Sequence, residues 1–373
     1  MLAWRNLVHD KVRFTVTITG IVFAVVLIVV ELGLFIGFTT TTSGLIDQSG
    51  ADIWITAPNV PYIEQGVAFT ERKRAIVLAT PGVASASKYI ARATQWRRPG
   101  DGQQVGIQIV GVDLETGLGG PWNIVAGSLS DLRLPDGILV DEIYKPKLGI
   151  NRIGQTLEIH GHRARVVGFT RGIRTFTTSP YVFTSFKQAQ NYAGLREDQT
   201  LYLLVKARPG VDVEQLRQAL ASRLTDVSVR TTREFSSMTR AYWMFTTGAG
   251  IAVLLAALLG LIVGVVIVAQ TIYATTLDHI REYGTLKAMG ATNRYLYTVI
   301  IRQAVISALI GYALGMVASA VVVRGSSRGG ANILLPGWMV AAMLGITLAM
   351  CVSAAIVSVR KVTRLEPAMV FKG

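Results

Sequence analysis

The sequence predicts a membrane α-helical protein: four transmembrane helices, with a large extracytoplasmic α+β domain between the first and the second. Three observations predict this fold class. Of 373 residues, 51% are hydrophobic and only 16% charged, a balance that a soluble domain of this size seldom shows. The apolar residues gather in four long blocks rather than in short periodic runs. Basic residues flank those blocks: segments 1–13, 277–302 and 360–373 hold eleven Lys and Arg against four Asp and Glu. That is the bias a cytoplasmic membrane surface selects.

The first apolar block runs from Phe14 to Phe38 behind Lys11 and Arg13 and leaves through the uncharged Thr39–Thr42, which places the first span at 14–40. It exceeds the roughly 20 apolar residues that a helix needs to cross a bilayer, and it is longer than the core of a cleaved signal peptide, so a retained anchor is expected. From 41 to 240 the pattern changes to short alternating runs with turn dipeptides. Strands are predicted at Asp52–Thr56, Gln104–Val112, Gly137–Val140, Thr156–Ile159, Ala164–Phe169, Tyr181–Thr184 and Leu201–Val205, with turns at Pro99–Gly102 and Pro135–Gly137. Val213–Leu224 reads as an amphipathic helix with Val213, Leu216, Leu220 and Leu224 on one face. Three further spans follow at 243–273, 298–323 and 333–359, separated by an inner loop at 277–297 and a short outer loop at 324–332, with a tail at 360–373. The charge bias puts both termini and the 277–297 loop in the cytoplasm and 41–240 outside. Arg324 and Arg328 in the outer loop run against the rule; Trp243, Tyr273, Tyr295 and Trp338 fall near the expected interfaces.

Several function classes are excluded by what the chain contains. The net charge of +14 suggests nucleic acid, but the 41–240 stretch carries twenty-four basic and eighteen acidic residues in mixed order rather than one basic face. The single cysteine, Cys351, lies in an apolar block, so no internal disulfide is possible. His160 and His162 are the one close histidine pair, read as a solvated strand in preference to a metal site. There is no G-x-x-x-x-G-K-[ST] loop to cradle phosphates, and no G-x-S-x-G, H-E-x-x-H or paired-cysteine arrangement, so no catalytic, cofactor-binding or metal-ligating residues are assigned.

Four smaller features carry candidate roles. Gly260 with Gly264, and Gly311 with Gly315, have the small-xxx-small spacing that lets membrane helices approach closely. That contact lies either within one subunit or between two. Glu31 sits inside the first span, where an ionisable group is costly and marks a candidate functional position, though water or a Thr hydroxyl near Thr39 also satisfies it. Gln95-Trp96-Arg97-Arg98 reads as a turn between strands or as a contact for a partner or a lipid headgroup. Leu277–Thr292 has the form of a short amphipathic helix with Ile280, Gly284, Lys287 and Ala288 on one face and a glycine stop at Gly290. Physical reasoning alone leaves it open between a solvated connector and a docking helix.

Within that stretch, Arg281-Glu282-Tyr283-Gly284-Thr285-Leu286-Lys287-Ala288-Met289-Gly290-Ala291 resembles the R-E-I/Y-G-x-x-K/R-A-x-G-A signature of the MacB/FtsX/LolC-type ABC transporter permeases, including the DevC branch. Leu2–Leu7 resembles the family's amino-terminal elbow, so 1–13 is expected to be a cytoplasmic amphipathic elbow, and Arg364–Ala368 resembles its basic, proline-containing tail. Ile109–Asp113, Gly137–Glu142 and Arg165–Phe169 resemble strands of its large outer domain.

The resemblance implies a non-catalytic permease that binds no cofactor itself, ATP and Mg belonging to two copies of a separate ABC ATPase subunit. It implies that Ile280–Ala291 is the ATPase-coupling element, that the permease is a homodimer in the plasma (inner) membrane, and that the outer domain is periplasmic or extracellular. A membrane-fusion adaptor, and in a two-membrane cell an outer-membrane channel, are the further partners implied. Because no nucleotide-binding domain precedes the first span, the layout is similar to the DevC branch. The resemblance leaves three outputs open: export of an amphipathic substrate, control of a cell-wall hydrolase, and lipoprotein release. The length of the outer stretch resembles the exporter type.

Overall fold

The computed structural model describes residues 11–175, 179–278, 284, 285, 287, 289–326 and 333–363. It divides into two compact units, one of residues 38–250 and the other of residues up to 37 and from 251 onward.

The 38–250 unit is built on one mixed sheet. Its strands are β1 (Ile53–Thr56), β3 (Val83–Arg97), β4 (Gln104–Val112), β5 (Ile124–Ala126), β6 (Gly137–Asp141), β7 (Thr156–Ile159), β8 (His162–Thr170), β9 (Tyr181–Ser185), β11 (Tyr202–Ala207) and β12 (Ser228–Thr231). They lie in the order β12-β1-β11-β3-β4-β9-β6-β8-β5, with β7 joining β3 and β8. The β4–β9 and β6–β8 pairs are parallel and the others antiparallel. A two-stranded pair, β2 (Phe69–Thr70) with β10 (Gln199–Thr200), stands apart.

The sheet is covered on both faces where β1 and β11 pair, so these strands read as continuous apolar runs rather than as alternating ones. Successive side chains point to opposite faces. Ile53 and Ile55, opposite Val205 and Leu203, face a layer made by Val77 of α3 (Lys73–Leu78) and Leu216 and Leu220 of α6 (Val213–Arg223). Trp54 points the other way, into Tyr89 at 5.4 Å, Tyr202 at 5.6 Å and Phe235 at 5.4 Å between ring centroids. Phe235 belongs to α7 (Thr232–Ala241), which opens with a reciprocal cap between Thr231 and Glu234. The α6 helix opens on Asp212, whose side chain accepts from Gln215 N at 2.9 Å. Among the described residues the unit also holds three shorter α-helices, α2 (Gly44–Asp47), α4 (Lys145–Leu148) and α5 (Phe186–Tyr192), and two 3-10 turns at Leu129–Arg133 and Glu142–Tyr144.

Gln104–Val112 and Thr156–Ile159 are strands with the predicted bounds, and both predicted turns form, with Gly100 at φ +99° and Asp136 at φ +61°. The fifteen-residue β3 has no counterpart among the predicted strands. It serves three partners in turn, β11, β4 and β7, so its burial does not alternate and no period marks it. Gln95–Arg97 lie inside β3 rather than in a turn. Trp96 is fully buried and donates its indole N–H to Leu148 O at 3.0 Å, so it touches neither a partner nor a headgroup.

Among the described residues, four helices are long and apolar enough to cross a membrane: α1 (Lys11–Thr41), α8 (Ala249–Asp278), α9 (Asn293–Ser326) and α10 (Gly337–Thr363). The α8 helix starts six residues later than Trp243. Residues Tyr242–Thr246 form a separate π-turn, and Gly248 at φ +73° breaks the helical path before Ala249. The α10 helix starts after Pro336, which cannot extend a helix backward.

In the helical unit α1 is gripped from two sides. A Cβ on Gly264 of α8 would lie 2.9 Å from Ile28 Cδ1, and one on Gly260 would lie 2.9 Å from Glu31 Cγ. On α9, a Cβ on Gly311 would lie 2.7 Å from Ile21 Cβ, and one on Gly315 2.8 Å from Val25 Cβ. The two glycine pairs therefore close contacts within one chain. Tyr312 OH donates to Val340 O at 2.9 Å and ties α9 to α10. Cys351 is buried in α10.

Candidate functional site

At the end of α8 the chain enters the segment that carries the family-like signature. Gly284, Thr285 and Lys287 are helical; Met289 N donates to Thr285 O at 3.0 Å and Gly290 N to Lys287 O at 3.0 Å. Gly290 sits at φ +97°, a left-handed position that closes a helix and that glycine adopts without a Cβ penalty. The chain leaves the turn through Ala291, and Thr292 then opens α9, its hydroxyl accepting from Tyr295 N at 3.3 Å. Met289 is 71% exposed, an apolar side chain left free on this short element. Ile280, Arg281, Glu282, Tyr283, Leu286 and Ala288 lie outside the described residues.

A second constellation sits at the root of the outer domain, where the chain arrives from α1 and departs toward α8. Asp47, at the end of α2, gathers three partners: Ser43 Oγ donates to Oδ2 at 2.6 Å, Ser236 Oγ donates to Oδ1 at 2.6 Å, and Arg240 Nη1 stands 3.7 Å from Oδ2. Ser43 and Asp47 follow α1 within a few residues, whereas Ser236 and Arg240 are on α7, just before the π-turn. One carboxylate thus joins the first and last elements of the domain across 189 residues of chain. Ser236 and Ser43 are both buried, so the hydroxyls have few other partners to take.

Beside it lies an aromatic cluster on the π-turn. Tyr62 stacks on Tyr242 with ring centroids 4.3 Å apart and meets Trp243 edge-on at 5.5 Å. Two residues along, burial pushes the Glu64 carboxyl up to about 7, a shift that the backbone and the Trp243 indole N–H only partly offset. Ser43 aside, the partners that define this group lie about 180 or more residues apart along the chain, Asp47 with Ser236, Tyr62 with Tyr242 and Glu64 with Trp243, and no local spacing encodes such contacts.

The remaining candidates are dispersed. His160 occupies a turn at φ +48°, followed by Gly161 at φ +79°, and His162 begins β8 beside the Tyr192 ring, so the two are not neighbours on one strand face. An open cleft of about 390 Å³ on β3 and β4 is lined by Arg92, Thr94, Gln108, His160 and Tyr192 among others. Glu31 is half-buried in α1, its stem against Gly260.

Residues 14–223 match the family model of the MacB-like periplasmic core domain, and residues 237–367 match that of the FtsX-like permease C-terminal region. The chain is 24% identical over 382 residues to an uncharacterised ABC transporter permease of Mycobacterium tuberculosis H37Rv, covering 100% of this chain and 99% of that one. An uncharacterised ABC transporter permease of Mycobacterium bovis is 24% identical over 381 residues, with the same coverage. Among solved structures, the periplasmic region of MacB from Actinobacillus actinomycetemcomitans aligns with 50% of this chain and 93% of its own length, at 13% identity and a TM-score of 0.39. The extracellular domain of the ABC-type transporter YknZ from Gram-positive bacteria aligns with 48% of this chain and 98% of its own, at 11% identity and a TM-score of 0.36.

Proposed function

The chain belongs to the MacB/FtsX-type ABC transporter permeases, and from that premise we propose that it is the membrane subunit of an exporter in which a separate ATPase drives movement of the outer domain. ABC transporter permeases work with a partner ATPase. The finer reading is that two ATPase copies dock on a permease homodimer in the plasma membrane, that the 277–291 segment receives their stroke, and that the outer domain acts on an amphipathic substrate with an adaptor protein. ATP and Mg would be held by the ATPase subunit, since this sequence has no phosphate-cradling loop.

The observation that carries the reading is the tie at Asp47. Both ends of the outer domain, one fed by α1 and the other leading to α8, converge on one carboxylate. The two chain ends are thereby tied together, so a movement of either is passed to one point of the domain instead of being dissipated in loops. The glycine contacts of α8 and α9 with α1 support the same reading, because closely packed helices move as units.

The test acts on the coupling segment. Gly284 and Ala288 are small and four residues apart in the sequence, so Gly284→Trp and Ala288→Trp should block close approach of the ATPase, and Glu282→Arg should reverse a charge that a basic groove would meet. The expected result is loss of ATPase co-purification in detergent and loss of permease-dependent ATP hydrolysis, with the permease still folded and inserted. If all three variants retain the partner and wild-type turnover, the segment is a solvated connector and the proposal fails.

A further inference from the structure

Glu64 has no part in the coupling reading, yet its surroundings are built with care. It lies on the 61–65 loop between β1 and β2. Ile63 O in that loop accepts from Tyr202 OH at 2.6 Å, and Gly66 passes the same ring so closely that a Cβ would lie 2.8 Å from the hydroxyl oxygen. The loop is therefore pinned on the cluster of Trp54, Tyr89, Tyr202 and Phe235. The Glu64 side chain is half-buried as a whole, but Oε2 is closed off from solvent and has no hydrogen-bond partner among the described residues. The Tyr89 hydroxyl is buried without a partner in the same way.

Among the described residues, the titratable groups that face Glu64 are phenols: Tyr62 on its own loop, Tyr89 on β3, Tyr181 on β9 and Tyr202 on β11. The turn after α7 contributes the Trp243 indole N–H, and Tyr242 faces Tyr62. Among the described residues no Lys, Arg or His acts on the carboxyl. A buried carboxylate without a cation is not compensated for its lost hydration, whereas the neutral acid is tolerated and can donate a hydrogen bond. The same loop carries Tyr62, which stacks on Tyr242 in the π-turn, and Gly248 and Ala249 follow directly. What holds the 61–65 loop also holds the turn from which the second membrane helix starts.

We propose that Glu64 is a proton-operated latch: as the neutral acid it keeps the loop seated and the Tyr62–Tyr242–Trp243 stack closed, and as the carboxylate it drives the loop outward and loosens the turn that leads into α8. Burial raises the carboxyl from 4.5 to about 7 in the folded state. The latch is thus fully closed below about 4.5 and is lost as pH rises through about 7, on the side of the membrane where the outer domain lies. The interval bounds the bias of the neutral acid toward the seated loop at about 300-fold over the carboxylate. This inference is independent of ATPase docking.

Hydrogen–deuterium exchange of the permease in nanodiscs tests it, followed on peptides covering 60–68 and 240–248 from pH 4 to 8.5 and corrected for intrinsic exchange. Protection in both should fall as pH rises from about 4.5 to about 7 and stay level above that, while Glu64→Gln stays protected at every pH and Glu71→Gln behaves like the parent. Tyr62→Ala should keep the transition in 60–68 and abolish it in 240–248. Corrected exchange that does not change with pH, or the same transition in Glu64→Gln, overturns the latch. Should Glu64→Gln fail to fold, the wild-type titration decides: a fall complete below about 4.5 or confined to pH above about 7, or a change spread evenly over the domain, refutes the proposal.

Discussion

A Cβ built on Gly311 of α9 would lie 2.7 Å from the Cβ of Ile21 on α1, and Ile21 is fully buried. The obstructing atom is the branched stem of a stiff side chain, not its flexible tip, so the contact has little room to relax. Gly311→Val should destabilise the helical unit by about 2–3 kcal/mol. Gly345→Val on α10, where nothing lies within 4 Å of the added atom, should be nearly neutral. Denaturation in detergent, followed by loss of the monodisperse peak on size exclusion, separates the two; equal behaviour would remove Gly311 from the packing.

Removing the Asp47 carboxylate should loosen the root of the outer domain. Asp47→Ala leaves the buried Ser236 hydroxyl and the Ser43 hydroxyl without their acceptor, which costs about 1–3 kcal/mol per unsatisfied group. Faster amide exchange is expected in 44–47 and 232–241, with the sheet unchanged. If Asp47 carries the stroke, permease-dependent ATP hydrolysis persists in this variant while transport falls. Unaltered exchange in both segments would show that the hub contributes nothing.

Asp141 is a structural anchor in the same domain. Its carboxylate is 2% exposed and accepts from Ile173 N at 2.7 Å, Ile143 N at 3.1 Å and Thr170 Oγ1 at 3.3 Å. Burial raises its pKa, and the hydrogen bonds only partly offset that rise. Asp141→Ala should cost about 2–4 kcal/mol by stranding buried donors, and Asp141→Asn should cost less because the amide oxygen still accepts. Urea denaturation monitored by tryptophan fluorescence gives the order of the two variants, and equal midpoints would contradict the anchor role.

The topology is checked by thiol labelling. Cys351 is buried and gives little background, so cysteine at Asp101 or Gln103, both exposed, should react with an impermeant reagent in intact cells, and cysteine at position 279 should not. Asp136 is a poorer reporter: it has φ +61° and bonds to Arg163 and Gln188. Labelling at 279 with protection at 101 would invert the assignment.

The sequence by itself determined the four spans, because about 20 apolar residues in a row have few places to go other than a bilayer. It also determined the side on which the outer domain lies, through the Lys and Arg beside those spans, and the strands whose alternation or turn chemistry is local, such as Gln104–Val112 and Thr156–Ile159. The 281–291 signature was legible in the same way, as an unbroken local string that includes Gly290, which the fold holds at positive φ. Tertiary structure alone decided the rest. The burial of Trp96, the three-partner course of β3, the grip of Gly264 and Gly311 on α1, the Asp47 tie and the Tyr62–Tyr242 stack all depend on residues tens to hundreds of positions apart. Local patterns report only on which face a residue turns inward. Which distant residue meets it there is fixed by how the sheet and the helices pack, and that is encoded in no spacing along the chain.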